Sequence, residues 1–233
     1  MDYKKYEYFE SIDNLISLNF WSKFSNYEYF IKSIEKSIDD RFTYLSHTYN
    51  EDKQHLSFDE ANELFDKYYS DDFYRVRNSY PFTIRQSTFL TLYSFFESEL
   101  YRITTNLDKY NKLDNMKENG IMKYYSFLKN ESNLIISKSL EKRFINYNAL
   151  RNHFAHNNHK IHDSHFKKIK QIQGVHLKEL TEYDIELNIE DPRKIQWLDK
   201  ELNELFLNDI TEFFKILVNT LKENDDFMAV ISH

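Results

Sequence analysis

Glycine is nearly missing from this chain. Gly120 and Gly174 are the two in 233 residues, beside two prolines and against 20 phenylalanines, 18 tyrosines and two tryptophans. Folds that turn often rely on glycine for positive φ and on proline for preset turns, so an all-β sandwich is excluded. The two glycines stand 54 positions apart. A P-loop or a dinucleotide fingerprint needs glycines only a few positions apart, so Rossmann folds and NTP hydrolysis by the usual loop are excluded as well. There is no cysteine, hence no disulfide framework and no thiolate metal site.

Apolar spacing points to helices instead. Tyr27, Phe30, Ile31, Ile34, Ile38, Phe42 and Leu45 recur every three or four residues across 26–48. Ser57 and Glu60 form a capping box ahead of a helix to about Tyr69. Pro81 is expected in the first turn of a helix running to about Leu107, and a short helix follows over 121–128. Ser137 or Ser139 caps the next, whose inner stripe is Leu140, Phe144, Tyr147 and Phe154. Between Gly174 and Glu190 apolar and polar residues alternate, and the spacing predicts a two-stranded ribbon of Val175–Leu180 with Ile185–Ile189. Asp191 and Pro192 then cap a final helix to about Lys222, with Ile195 and Leu198 on its inward side. The expected fold class is all-α: an up-and-down helical bundle with a small β-hairpin before the last helix. Residues 1–79 form an N-terminal helical extension packed on a helical domain over 80–233.

Net charge is −7, which opposes indiscriminate coating of nucleic acid. Between Ser137 and Ile172, however, eight lysines and arginines face only Glu141 and Asp163, and five of the nine histidines fall there. That window is the candidate for chemistry on an anion. No apolar run is long enough to span a membrane, and MDYKKYEYFE carries charge where a leader's apolar segment would sit. A cytoplasmic protein with no membrane partner is expected.

Within the window, NALRNHFAHNNHK carries Arg151, Asn152 directly after it, and His156 four residues beyond Asn152. Arginine keeps its charge and grips phosphate through parallel hydrogen bonds, and histidine takes and returns a proton near neutral pH. Together they suffice for metal-free RNA cleavage. A base deprotonates the ribose 2′-hydroxyl, the alkoxide attacks the adjacent phosphate, and a cation stabilises the charge that builds there. DNA lacks that hydroxyl and is spared. On a regular helix Arg151 and His156 lie 140° apart, whereas Asn152 and His156 are i and i+4 neighbours if the helix persists to 156. Arg41 and His47 offer a similar spacing, but Phe42 follows the arginine and the pattern fails.

RNHFAH at the end of a helix in an all-helical chain resembles the RNxxxH form of the Rx4-6H motif of HEPN-superfamily nucleases. FLTLYSFFESELYRI resembles the aromatic helix that precedes the motif helix in several of them. The resemblance covers roughly 80–222. It implies a HEPN-type bundle and a metal-independent endoribonuclease of a toxin-antitoxin or anti-phage defence system, with Arg151, Asn152 and His156 as the catalytic group. It also implies a homodimer whose two motifs share one composite cleft, controlled by an antitoxin or sensor protein.

Glu97 and His153 are accessory candidates. Glu97, flanked by Tyr93 and Tyr101 at i−4 and i+4, borders the core where a carboxylate can orient Arg151 or His156. Lys160, Lys167, Lys168 and Lys170 are candidate contacts to an RNA backbone, the last three read as a lysine loop. The histidines at 153, 156, 159, 162 and 165 recur every third position and spread around a helix axis rather than converging, so no metal and no cofactor is expected. The alternative to the nuclease is a noncatalytic HEPN-like protein- or nucleotide-binding module in which Arg151 pairs structurally with Glu97.

Overall fold

A computed structural model describes residues 20–156, 161, 163–178 and 194–223. The first helix, α1 (Phe20–Asp52), outruns its apolar stripe at both ends. Its leading turns are held by aromatic packing, with the Phe20 ring 4.4 Å from Phe214 and Phe24 edge-on to Phe95 at 5.8 Å. Lys23 and Arg102 both pair with the buried Glu99 beneath them. At the far end, the Tyr69 hydroxyl donates to Asp52.

The Ser57–Glu60 capping box is present: the Ser57 backbone N–H donates to Glu60 Oε2 at 2.9 Å, and the Glu60 N–H donates to Ser57 Oγ at 3.4 Å. From there the chain runs in an unbroken helical path to Leu107. It comprises α2 (Phe58–Leu64), a π-turn (Phe65–Tyr69), α3 (Ser70–Tyr74), a second π-turn (Arg75–Ser79) and α4 (Tyr80–Leu107). Pro81 stands in the first turn of α4, as expected, but the helical path does not begin there. The proline follows the second π-turn, where the Tyr80 N–H reaches the Arg75 carbonyl. A wider turn displaces the carbonyls that a proline ring would otherwise strike, so the ring is accommodated without a break. Tyr49, Phe65, Tyr69 and Phe73 form an aromatic cluster between α1 and this path, Tyr49 and Tyr69 meeting at 5.1 Å.

After a short 3-10 turn (Leu113–Asn115) come α5 (Ile121–Glu131), α6 (Lys138–His156) and the short α7 (Asp163–Ile169). Ser137 is the cap of α6, its Oγ accepting from the Leu140 N–H at 3.2 Å. Leu140, Phe144, Tyr147 and Phe154 are all buried. They meet Phe89, Phe96, Phe206 and Phe213 in one aromatic core between α4, α6 and the last helix, α8 (Glu201–Glu223). Asparagine takes over part of glycine's work. Besides Gly120 (φ 60°) and Gly174 (φ 83°), the described positive-φ residues are Asn111 (φ 54°) and Asn133 (φ 56°); among residues with a Cβ, asparagine tolerates that region best.

The hairpin exists, but with a different second strand. β1 (Val175–Lys178) pairs antiparallel with β2 (Lys194–Leu198), so Ile195 and Leu198 belong to a strand, and α8 starts at Glu201 rather than near Asp191. Residues 179–193, including Ile185, Leu187, Ile189 and the expected Asp191–Pro192 cap, lie outside those described. Opposite the His176–Leu177 step the register slips, because Trp197 pairs with His176 and Ile195 with Leu177 while Gln196 has no partner. A bulge adds one residue to a strand's period of two. Ile195 and Leu198, three apart, are thus both buried, and that spacing imitates a helix in the sequence. Arg85 fastens the hairpin to the bundle: its Nη1 donates to the Leu198 carbonyl at 2.7 Å and its Nε to Glu35 on α1 at 2.9 Å. Among the described residues no helix is long and apolar enough to cross a membrane.

Candidate functional site

The last turns of α6 pass the middle of α4 beside the start of α5. There Arg151 and Glu97 come together, Arg151 Nη2 lying 3.9 Å from Glu97 Oε2. The Arg151 side chain is 33% exposed and the Glu97 side chain 28%, so the pair sits at the rim of the core. Arg151 Nη1 donates to Asn152 Oδ1 at 3.2 Å. Its guanidinium also stands over the Tyr93 ring, 5.6 Å from the centroid.

Tyr93 is in turn fixed. Its hydroxyl donates to Asn148 Oδ1 at 2.6 Å, and burial, with the Glu97 charge nearby, pushes its pKa up, so it stays a neutral donor. Sequence reasoning misses Tyr93, Asn148 and Gly120 as parts of this site. The signal was helical spacing: Tyr93 precedes Glu97 by four residues and Asn148 precedes Arg151 by three, which stacks each pair on one face. Gly120 had no such signal. It sits at φ 60°, ψ −148° before α5, and a Cβ there would stand 3.2 Å from Glu97 Oε1 and 3.5 Å from the Tyr93 hydroxyl. Gly120→Ala should therefore cost about 1–3 kcal/mol through the forbidden backbone region. It should also displace the Glu97 carboxylate, both seen as a lower melting temperature and shifted Arg151 side-chain NMR signals.

The two arginines of α6 differ in kind. Arg143 is clamped by Asp209 in two parallel bonds of 2.7 and 2.9 Å, with Glu212 a further 3.7 Å away. Arg151 makes one hydrogen bond to its neighbour and one loose ion pair, and its remaining N–H groups have no partner among the described residues. Partly exposed pairs of the second sort contribute about 0–1 kcal/mol. They brace a guanidinium without using up its donors.

α6 continues through His156, so Asn152 and His156 are i and i+4 positions on one helix. The side chain of His156 lies outside the described residues, as do Lys160, His159 and His162. Lys167 and Lys168 are not in a loop: they are exposed on α7, which packs on α6, and Lys170 follows in a turn. Among the described residues no three histidine, aspartate or glutamate side chains converge where a metal ion could be held.

His153 faces inward and is 6% exposed, and its Nδ1 has no hydrogen-bond partner. Burial, reinforced by His165, holds its pKa below the ordinary 6.5. The fold thus favours the neutral ring, and the unfolded chain binds the proton more readily. Its contribution is complete above pH 6.5 and is lost as pH falls from there through the folded value. Denaturant titrations from pH 7.5 to 5 should show the wild type weakening more steeply than His153→Leu; parallel curves would contradict this.

No protein-family model matches the chain, and no curated protein and no solved structure matches it either.

Proposed function

We propose that the protein is a metal-independent endoribonuclease of the HEPN type. Arg151 holds the scissile phosphate, Asn152 sets orientation, and His156 takes the 2′-hydroxyl proton. The alkoxide attacks phosphorus, the bond to the 5′ oxygen breaks, and that oxygen leaves with a proton, giving a 2′,3′-cyclic phosphate and a free 5′-hydroxyl. The observation that carries this reading is the Arg151 guanidinium: braced by Tyr93 and Glu97, one-third exposed, with donors to spare. The continuation of α6 through His156 adds support, since it sets Asn152 and His156 one turn apart.

The working form would be a cytoplasmic homodimer, the two α6 ends joining in a composite cleft. Lys160, Lys167, Lys168 and Lys170 would follow the RNA backbone. A toxin-antitoxin or anti-phage defence role, with an antitoxin or sensor holding the activity in check, belongs to the same proposal.

The test is cleavage of an RNA oligonucleotide and its DNA counterpart in excess chelator. RNA should be cut to cyclic-phosphate ends while DNA survives. Strict metal dependence, or cutting of both, would end the proposal.

The Arg151–Glu97 contact favours a second reading, a noncatalytic binding module that uses the arginine structurally. That reading expects no cleavage and a large stability loss for Arg151→Ala. The nuclease reading expects the reverse.

A further inference from the structure

α6 also borders a recess two turns before Arg151. Together with α8 and the turn after α7 it encloses about 370 Å3, within the range of pockets that hold small molecules. Arg143 and Asp209 line it, but they neutralise each other, and the Tyr147 hydroxyl donates to Asp209 Oδ2 at 3.1 Å. The recess thus offers no unpaired charge to attract a small ion.

What it does offer is carboxamides. Asn146 is 5% exposed, lines the recess, and makes no hydrogen bond to any described residue. Gln173 at the rim is likewise without a described partner, and Gln171 spends its amide nitrogen on the Lys167 carbonyl while its own oxygen stays available. Among the described residues the buried side-chain atoms left without a partner are His153 Nδ1 and Asn203 Oδ1; the Asn146 amide instead opens onto the recess, where a bound group can complete its hydrogen bonds. A carboxamide presents a donor and an acceptor side by side, and its complement is a planar edge with the same pair reversed. Nucleobases carry such edges, and asparagine and glutamine read them bidentately. Ile172 and Leu205 supply apolar wall for the faces of a ring.

We propose that this recess binds a single nucleobase, from a free nucleoside or from an RNA strand, through Asn146 with Gln173 at the mouth. The proposal does not rest on the ribonuclease reading, and its test keeps the two apart.

Protein carrying Arg151→Ala, which the ribonuclease reading expects to cut poorly, is titrated with adenosine, guanosine, cytidine and uridine separately, and with a 2′-O-methyl octanucleotide, by calorimetry and ligand-observed NMR. At least one nucleoside should bind in the micromolar to millimolar range. Asn146→Leu and Gln173→Ala should each weaken it by roughly three- to tenfold. Gln173 is exposed, so its variant keeps the test open should Asn146→Leu fail to fold. Binding of the oligonucleotide alone, weakened by the same substitutions, supports the proposal and assigns the base to a strand. No binding of any probe, or binding that neither substitution weakens, overturns it, whatever the cleavage assay shows.

Discussion

His156→Ala should lower the rate of RNA cleavage by about 10²–10⁴, the usual loss when a general acid-base group is removed. The residual activity should also lose the pH dependence that a general acid-base histidine imposes. Arg151→Ala should fall at least as far, because the charge that builds on the phosphoryl oxygens then has no fixed partner. Arg151→Lys separates charge from geometry. Lysine restores the charge but not the planar fork, and it lacks a flat face to lie over the Tyr93 ring, so most of the loss should persist. Single-turnover cleavage across pH 5–9 reads all three. Stability should change little in the two Arg151 variants, since that side chain has one loose ion pair, one hydrogen bond and a partly exposed stack on Tyr93 to lose. Wild-type rates in all three variants would remove the catalytic role.

The largest stability effect should come from Phe206→Ala. Phe206 is fully buried on α8 and touches four rings from two helices: Tyr147 at 4.5 Å, Phe89 at 5.0 Å, Tyr93 at 6.2 Å and Phe96 at 6.4 Å. Its removal forfeits the buried surface and leaves a cavity that fixed rings on α4 and α6 cannot close. The expected cost is about 3–5 kcal/mol, or roughly 6–20 °C in Tm for a chain of this size. Tyr93 is among the four, so the support beneath Arg151 loosens as well. Phe58→Ala is the control: that ring is 80% exposed, and its loss should change stability by less than about 0.5 kcal/mol. Comparable losses for both would mean that α8 does not hold the centre of the bundle.

The helices were legible because their signals are local. The Ser57–Glu60 box, the Ser137 cap and the stripe of Leu140, Phe144, Tyr147 and Phe154 each state a helix within a few residues, and each is present. Elsewhere two structures share one local pattern. Ile195 and Leu198 at a spacing of three suit a helical face, and equally a strand with one bulged residue; the pairing with β1 decides, and β1 lies some twenty residues away. Pro81 does stand in the first turn of α4, and only the π-turn before it explains how the helical path passes through. The site divides the same way. Arg151 with Asn152 is a sequence pattern, and Glu97 could be placed at the core's edge from its flanking tyrosines. Gly120 could not be found, since its importance lies in Glu97 and Tyr93 on another helix.

By itself, then, the sequence determined a helical chain with few sharp turns, an aromatic interior, and a basic, histidine-rich stretch at the end of one helix. Composition and periodicity act through neighbours three or four residues away, and they survive whatever the distant chain does. The tertiary structure alone decided which arginine is consumed and which is left with donors. Arg143 meets Asp209 across 66 positions, while Arg151 finds a ring, a loosely held carboxylate and one hydrogen bond to its own neighbour. The two side chains are chemically identical, and what separates them is the set of groups that folding places within 3 Å.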